Sequence, residues 1–257
     1  MPANREQAAA LIEAHQPELY RLAYSLTLDS HAAERISAAS LLTALRSASS
    51  APGQLPIDVR VARKVVDACR WHAAWTAVKG WTAGLIASLR DAGAGDGPSE
   101  SGAASYAASG LWPAYQRLSS ASQRVVALRY FHNYPIERIA VLLGSNEAGV
   151  RSQLSAARHR LDDAAGGPTG MLGSDTSGGL NHTQARQLLQ SAADLPLGGQ
   201  QWQSVQDHLE ACPSCRAYRQ RLQSLQRELG RALQPHLAPA RPAGPEAAAR
   251  ILAAWEK

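Results

Sequence analysis

Cysteine is scarce in this chain, with three residues in 257, too few for a disulfide framework. Phenylalanine is nearly absent, Phe131 being the only one. No run alternates β-branched with polar residues, so the pattern of a half-buried strand is missing. No stretch of about 20 apolar residues could span a bilayer, and no signal peptide opens the chain. A cytoplasmic protein without a membrane partner is therefore expected. Strong local charge is lacking too: residues 1–90 carry 10 basic and 7 acidic groups, and residues 111–163 carry 7 and 4. A net charge of +5 suits an anionic partner but does not name one. Against these absences stand abundant alanine and leucine, and the chain is predicted to be all-α.

Two Gly/Ser/Ala-rich runs, 91–105 and 164–179, have no periodic apolar face and read as linkers. They leave a helical domain over 1–90, a second over 106–163 and a third over 180–234. A tail over 235–257 holds a short amphipathic helix, Pro245–Trp255, with Ile251, Leu252 and Trp255 on one side.

The strongest chemical signal is His208-x3-Cys212-x2-Cys215. Four residues make about one helical turn, so His208 and Cys212 face the same way. The Cys-Pro-x-Cys turn then brings a second sulfur to the same point. Nitrogen plus soft sulfur in a tetrahedral arrangement is what zinc prefers. Three ligands leave the shell open, and His182, at the start of another helical pattern, is the candidate fourth. Asp207 and Glu210 flank the cluster, but neither makes a convincing acid or base, so the site reads as structural rather than catalytic.

The second signal lies in 118–163. Val125, Leu128 and Phe131 share one helical face. Pro135 suits a first helical turn, Ala140 allows close helix crossing, Gly144 supplies a turn and Val150 anchors a second helix. This ordered set has the punctuation of a helix-turn-helix. In the second helix, from about Asn146 to Leu161, Val150, Leu154, Ala157 and Leu161 form the core stripe. Asn146, Glu147, Arg151, Ser152, Ser155, Arg158 and His159 supply polar groups suited to phosphates and base edges.

The residues Arg124, Ile139-Ala140, Leu143-Gly144, Val150, Leu154, Ala157 and Leu161 resemble region 4 of the extracytoplasmic-function sigma factors, with Ser119 where the family usually has proline. The resemblance implies docking on the upstream promoter element. His15–Leu26 and Ala33-Glu34 resemble the start of region 2. On that comparison Ile57–Trp75 would face the downstream element, with Val61, Val65, Ala68 and His72 on one stripe. Arg63 and Lys64 would meet phosphates, and Trp71 and Trp75 would stack on melted bases. One departure stands out: the polar patch with which the family meets core RNA polymerase is replaced by Arg35-Ile36-Ser37-Ala38-Ala39.

The segment from His182 through Leu188, Leu189, Asp194, Leu197, Val205 and Leu209 to Cys215 resembles the zinc-binding anti-sigma domain. That resemblance implies that the following helix, Ala217–Gln234, with Tyr218, Leu222, Leu225, Leu229 and Leu233 in register, packs on the sigma regions. The expected whole is a sigma-like regulator that binds promoter DNA and is gated by intramolecular contact with its own zinc module. The alternative is a degenerate sigma that no longer binds core polymerase and acts as a DNA-binding repressor or as a partner-sequestering protein.

Overall fold

The computed structural model describes residues 5–46, 56–90, 110–164, 179–239 and 245–256, with the side chains of 75–90 outside that description. Every regular element among the described residues is helical: α1 (Arg5–Thr27), α2 (Ser30–Arg46), α3 (Ile57–Arg90), α4 (Leu111–Gln116), α5 (Ser120–Val126), a π-helical turn (Ala127–Phe131), α6 (Ile136–Leu143), α7 (Glu147–Ala164), α8 (His182–Ala192), α9 (Gly199–Ala211), α10 (Pro213–Leu237) and α11 (Pro245–Trp255). They form two compact units, one built from α1, α2, α3 and α11, the other from α4, α5, α7, α8, α9 and most of α6 and α10. No helix among the described residues is long and apolar enough to cross a membrane.

In the first unit α1, α2 and α3 pack on one another. Ala8, Ile12, Gln16, Leu19 and Ala23 recur at three- and four-residue steps along α1 and, with Leu22, are buried. Ala33, Leu41 and Leu45 of α2 and Val61, Val65 and Cys69 of α3 complete this core. The α1–α2 corner turns on Leu28, whose φ is 55°. Asp29 follows as a side-chain cap, its Oδ1 accepting from the amides of His31 at 2.9 Å and Ala32 at 3.0 Å. The Ala32 amide in particular holds the Asp29 carboxyl below the usual carboxylate range, against the opposing effect of burial.

Helix α11 docks on α1 and α2, burying Ala247 and Ile251. Arg5 pairs with Glu256 at 2.7 Å, Arg250 pairs with Glu34, and Arg46 donates to the Ala254 carbonyl at 2.8 Å. The tail helix thus finds its apolar partner inside the chain.

In the second unit α4 and α5 pack on α7. Ser119 caps α5 by accepting from the Ser122 amide at 3.3 Å, so the departure from proline replaces a fixed φ with a capping oxygen. Val125, Leu128, Ile139, Val150, Leu154, Ala157 and Leu161 are all buried, matching the predicted stripe, and Phe131 is half-buried.

Candidate metal centre and helix-turn-helix

The ligand cluster is built by three helix ends. Asn181 and Gln184 form a reciprocal capping box (Asn181 Oδ1 accepts at 2.8 Å, Gln184 Oε1 at 3.1 Å), which fixes His182 as the first residue of α8. Helix α9 carries His208 in its last turn and stops at Cys212, whose amide donates to the His208 carbonyl at 2.8 Å. Pro213 opens α10, the helical position that loses nothing from a missing N–H. The Cys215 amide then points at Cys212 Sγ from 3.4 Å.

The result brings His182, His208, Cys212 and Cys215 together, with one ligand atom from each lying within 4.8 Å of all the others. His182 Nδ1 is 3.4 Å from both sulfurs, and the two imidazoles stand edge to face at 5.4 Å. Metal–sulfur and metal–nitrogen bonds of about 2.3 and 2.0 Å at a tetrahedral angle put nitrogen and sulfur about 3.5 Å apart, so the group has the spacing to hold one metal ion. Burial pushes the Cys212 thiol up, but hydrogen bonds from Ser214 and Cys215 and the charge of His182 outweigh it and bring it down to about 6. Burial and the neighbouring Cys212 raise Cys215 instead. One readily formed thiolate beside two imidazoles is a fitting start for a metal site. Beneath it, Ala185, Leu189, Val205, Leu209 and Leu222 form the module's core, with Tyr218, Leu188 and Leu197 packed around them.

The helix-turn-helix is equally local. Gly144 adopts φ 61°, and the Ser145 amide reaches back to the Ala140 carbonyl at 2.9 Å, closing α6 with the bond of a Schellman turn. Asn146 caps α7, its Oδ1 accepting from the Gly149 amide at 2.7 Å. Of the predicted polar set, Ser152 and His159 are exposed, while Ser155 and Arg151 are partly covered. Arg151 pairs with Glu147 one turn earlier, at 3.1 Å.

Arg158 departs from the sequence reading, which set it on the open polar face. It is 1 % exposed, and its partners come from the metal-binding segment. Nη2 meets Asp194 Oδ2 at 2.5 Å and the Gln190 carbonyl at 3.3 Å, Nε donates to Gln190 Oε1 at 2.9 Å, and Nη1 to the Tyr130 hydroxyl at 3.1 Å. Burial opposes the guanidinium's charge, but Asp194 and Tyr130 more than offset it and hold its pKa above the ordinary value. Asp194 also has Arg129 at 3.8 Å. A second tie joins Arg221 of α10 to Asp162 of α7 at 2.5 Å, and α10 passes so close that a Cβ on Gly230 would sit 3.1 Å from the Tyr130 carbonyl oxygen. Sequence reasoning missed Asp194, Gln190, Tyr130, Asp162 and Arg221 as a set. The available signal was that Arg158 lies one turn from both Leu154 and Leu161, at the edge of the apolar stripe.

Between α7 and α8 runs a groove of about 550 Å³, lined by Arg151, Ser152, Ser155 and His159 on one side and Gln187, Gln190 and Asp194 on the other. In the first unit Arg63 and Lys64 are exposed, Trp71 is 79 % exposed and Arg70 pairs with Asp67. Trp75 lies outside the described side chains.

These elements define a helix-turn-helix module joined to a candidate metal-binding hairpin. Residues 114–161 match the family described as Sigma-70, region 4, which covers the helix-turn-helix from α4 through Leu161. No curated protein matches the chain. The region-4 match supports a sigma-like, DNA-binding role in transcription, and the matched regions are those of non-enzymatic transcription factors.

Proposed function

We propose that this protein is a sigma-like regulator of transcription initiation, acting on promoter DNA in the cytoplasm, in which a zinc-bearing anti-sigma-like module holds the helix-turn-helix shut. Zinc is the metal of choice because two thiolates and two imidazoles in a closed four-ligand shell suit a borderline-soft cation without geometric demands. In that role it ties His182 of α8 to His208 of α9 and to the Cys212–Cys215 turn. The chain's own residues do the rest. Asp194 and Gln190, carried by the hairpin, draw in Arg158, and α8 forms the opposite wall of the groove lined by Arg151, Ser152, Ser155 and His159. Asn146 and Glu147 shape the start of α7, the end by which such helices read base edges. Arg63, Lys64, Trp71 and Trp75 of α3 are assigned a second contact, with melted DNA.

The observation that carries this reading is the burial of Arg158 against Asp194. A groove-reading arginine gains nothing from a dry pocket built by another segment unless the pocket is a resting state. Selection from a random duplex pool, with the full chain and with Asp194→Ala, tests it. The gate predicts sequence-specific retention at least about tenfold stronger for the variant. Equal retention would remove the module as the gate.

A second reading is favoured by the Arg35–Ala39 segment of α2, which lacks the acidic and amide groups expected for polymerase contact. Here the protein binds DNA but not core RNA polymerase and acts as a repressor or sequestering partner. Co-elution of the full-length Asp194→Ala chain with core RNA polymerase separates the two readings. Binding supports the gated sigma factor; failure to bind, with DNA retention intact, supports the repressor.

A further inference from the structure

An apolar cavity of about 440 Å³ opens between α8, the turn that follows it, α9 and α10. Leu189, Leu197, Trp202 and Leu222 give it a greasy lining, and Arg219 of α10 gives it one cation. The volume falls within the range of about 300–1,000 Å³ typical of small-molecule sites. Arg219 Nε is buried and has no hydrogen-bond partner among the described residues. A buried N–H without an acceptor is costly; Gln223 and Gln226 complete the lining, yet neither accepts from this N–H. A carboxylate is the acceptor that the planar guanidinium fork fits best.

We propose that this cavity binds an amphipathic organic acid, a medium-length alkyl chain or a ring bearing one carboxylate. The apolar body lies against Leu189, Leu197, Trp202 and Leu222, and the carboxylate meets Arg219. Trp202 is 37 % exposed and closes over such a ligand, gaining the burial that the empty cavity denies it.

The position of the cavity gives it a consequence. Ala192, Ala193, Pro196 and Leu197 wall it, while Asp194, in the same stretch, points instead to Arg158. The turn is short and internally bonded, the amides of Asp194 and Leu195 both donating to the Ser191 carbonyl at 3.0 and 2.9 Å. A ligand that seats better when this turn shifts favours the state in which Asp194 releases Arg158. This signalling role rests on the gating reading above, whereas the binding site does not.

Calorimetric titration of the full, zinc-loaded chain with decanoate and, separately, with decanol tests the site. The two probes share an apolar body and differ in the carboxylate. Saturable one-to-one binding of decanoate is expected, about tenfold tighter than decanol. Arg219→Met should erase that preference. Ala192→Phe, whose ring fills the hollow, should abolish binding of both probes with the far-UV circular dichroism unchanged. Non-saturating uptake, or binding that survives both substitutions, overturns the proposal. DNA retention is measured separately with and without decanoate. A chain that binds decanoate with unaltered DNA retention keeps the site and loses its coupling to Asp194. Asp194→Ala without any ligand tests the gate alone, so the two failures remain distinguishable.

Discussion

Helices α3 and α7 both carry the cations that the sequence marks for nucleic acid, yet they treat them in opposite ways. On α3, Arg63 and Lys64 stand in solvent beside an exposed Trp71. On α7, Arg158 is sealed in, Arg151 is folded onto Glu147, and Asp162 is taken by Arg221 of α10. The helices themselves do not differ enough to explain this. What differs is the neighbour: α8, the turn after it and α10 bring an amide, a buried carboxylate and a guanidinium to α7. A cationic helix keeps its charges open to solvent or has them covered according to what a distant segment lays against it.

Removing the metal should break the contrast most thoroughly. Structural zinc contributes about 10–16 kcal/mol to folding in small zinc peptides, and here it would tie three helix ends. Chelation, or Cys215→Ser, is expected to unfold α8–α9, seen as lost helical circular dichroism, and to leave α7 as open as α3. Zinc release measured with a chromogenic chelator should give one ion per chain.

Asp194→Ala comes next. It strands a buried guanidinium, a change that typically costs about 3–5 kcal/mol, and urea denaturation should register it. Arg158→Met should cost less, because Arg129 stands 3.8 Å from Asp194 and can take over part of the pairing. A double-mutant cycle between the two positions measures their coupling directly. If the cycle shows none, the pair does not hold α7 closed.

Smaller effects sharpen the comparison. Arg221→Ala breaks a partly exposed pair and should cost about 1 kcal/mol or less. Arg63→Ala and Lys64→Ala should leave stability within about 0.5 kcal/mol. If α3 meets DNA, each should lower the salt dependence of binding by about one phosphate. A pH-dependent effect concerns Asp29, whose carboxyl the Ala32 amide holds below its ordinary range. Its stabilisation is therefore present above the ordinary carboxylate pKa and is lost as pH falls through the lowered value. Asp29→Ala should remove this acid-side loss at a cost of about 1 kcal/mol, typical of an N-cap.

Much of the candidate site was legible in the chain because its causes are local. His208, Cys212 and Cys215 lie within two helical turns, and Pro213 tells where α10 begins. Gly144 and Asn146 mark the corner of the helix-turn-helix through a left-handed φ and a capping oxygen. The buried stripe Val150, Leu154, Ala157, Leu161 follows from helical period alone. The docking of α11 was legible only as an unpartnered apolar side, since period says that Ile251 must be covered but not by what. Helix lengths were less legible: α1 begins at Arg5 rather than near His15, because Ala8 and Ile12 find core partners that the sequence does not name.

By itself, then, the sequence determined the helical class, the grouping of the four candidate ligands and the corner of the helix-turn-helix. Each rests on interactions spanning one to four residues, or on a ligand set chemically rare enough to be read as a group. The tertiary structure alone decided that Arg158 is an inward, paired residue, that Asp162 belongs to Arg221, and that Arg219 keeps a buried N–H without a partner among the described residues. An arginine on a helix edge is equally at home in water or beside a buried carboxylate. The choice is made by a residue 36 positions away, and only folding sets that distance to 2.5 Å.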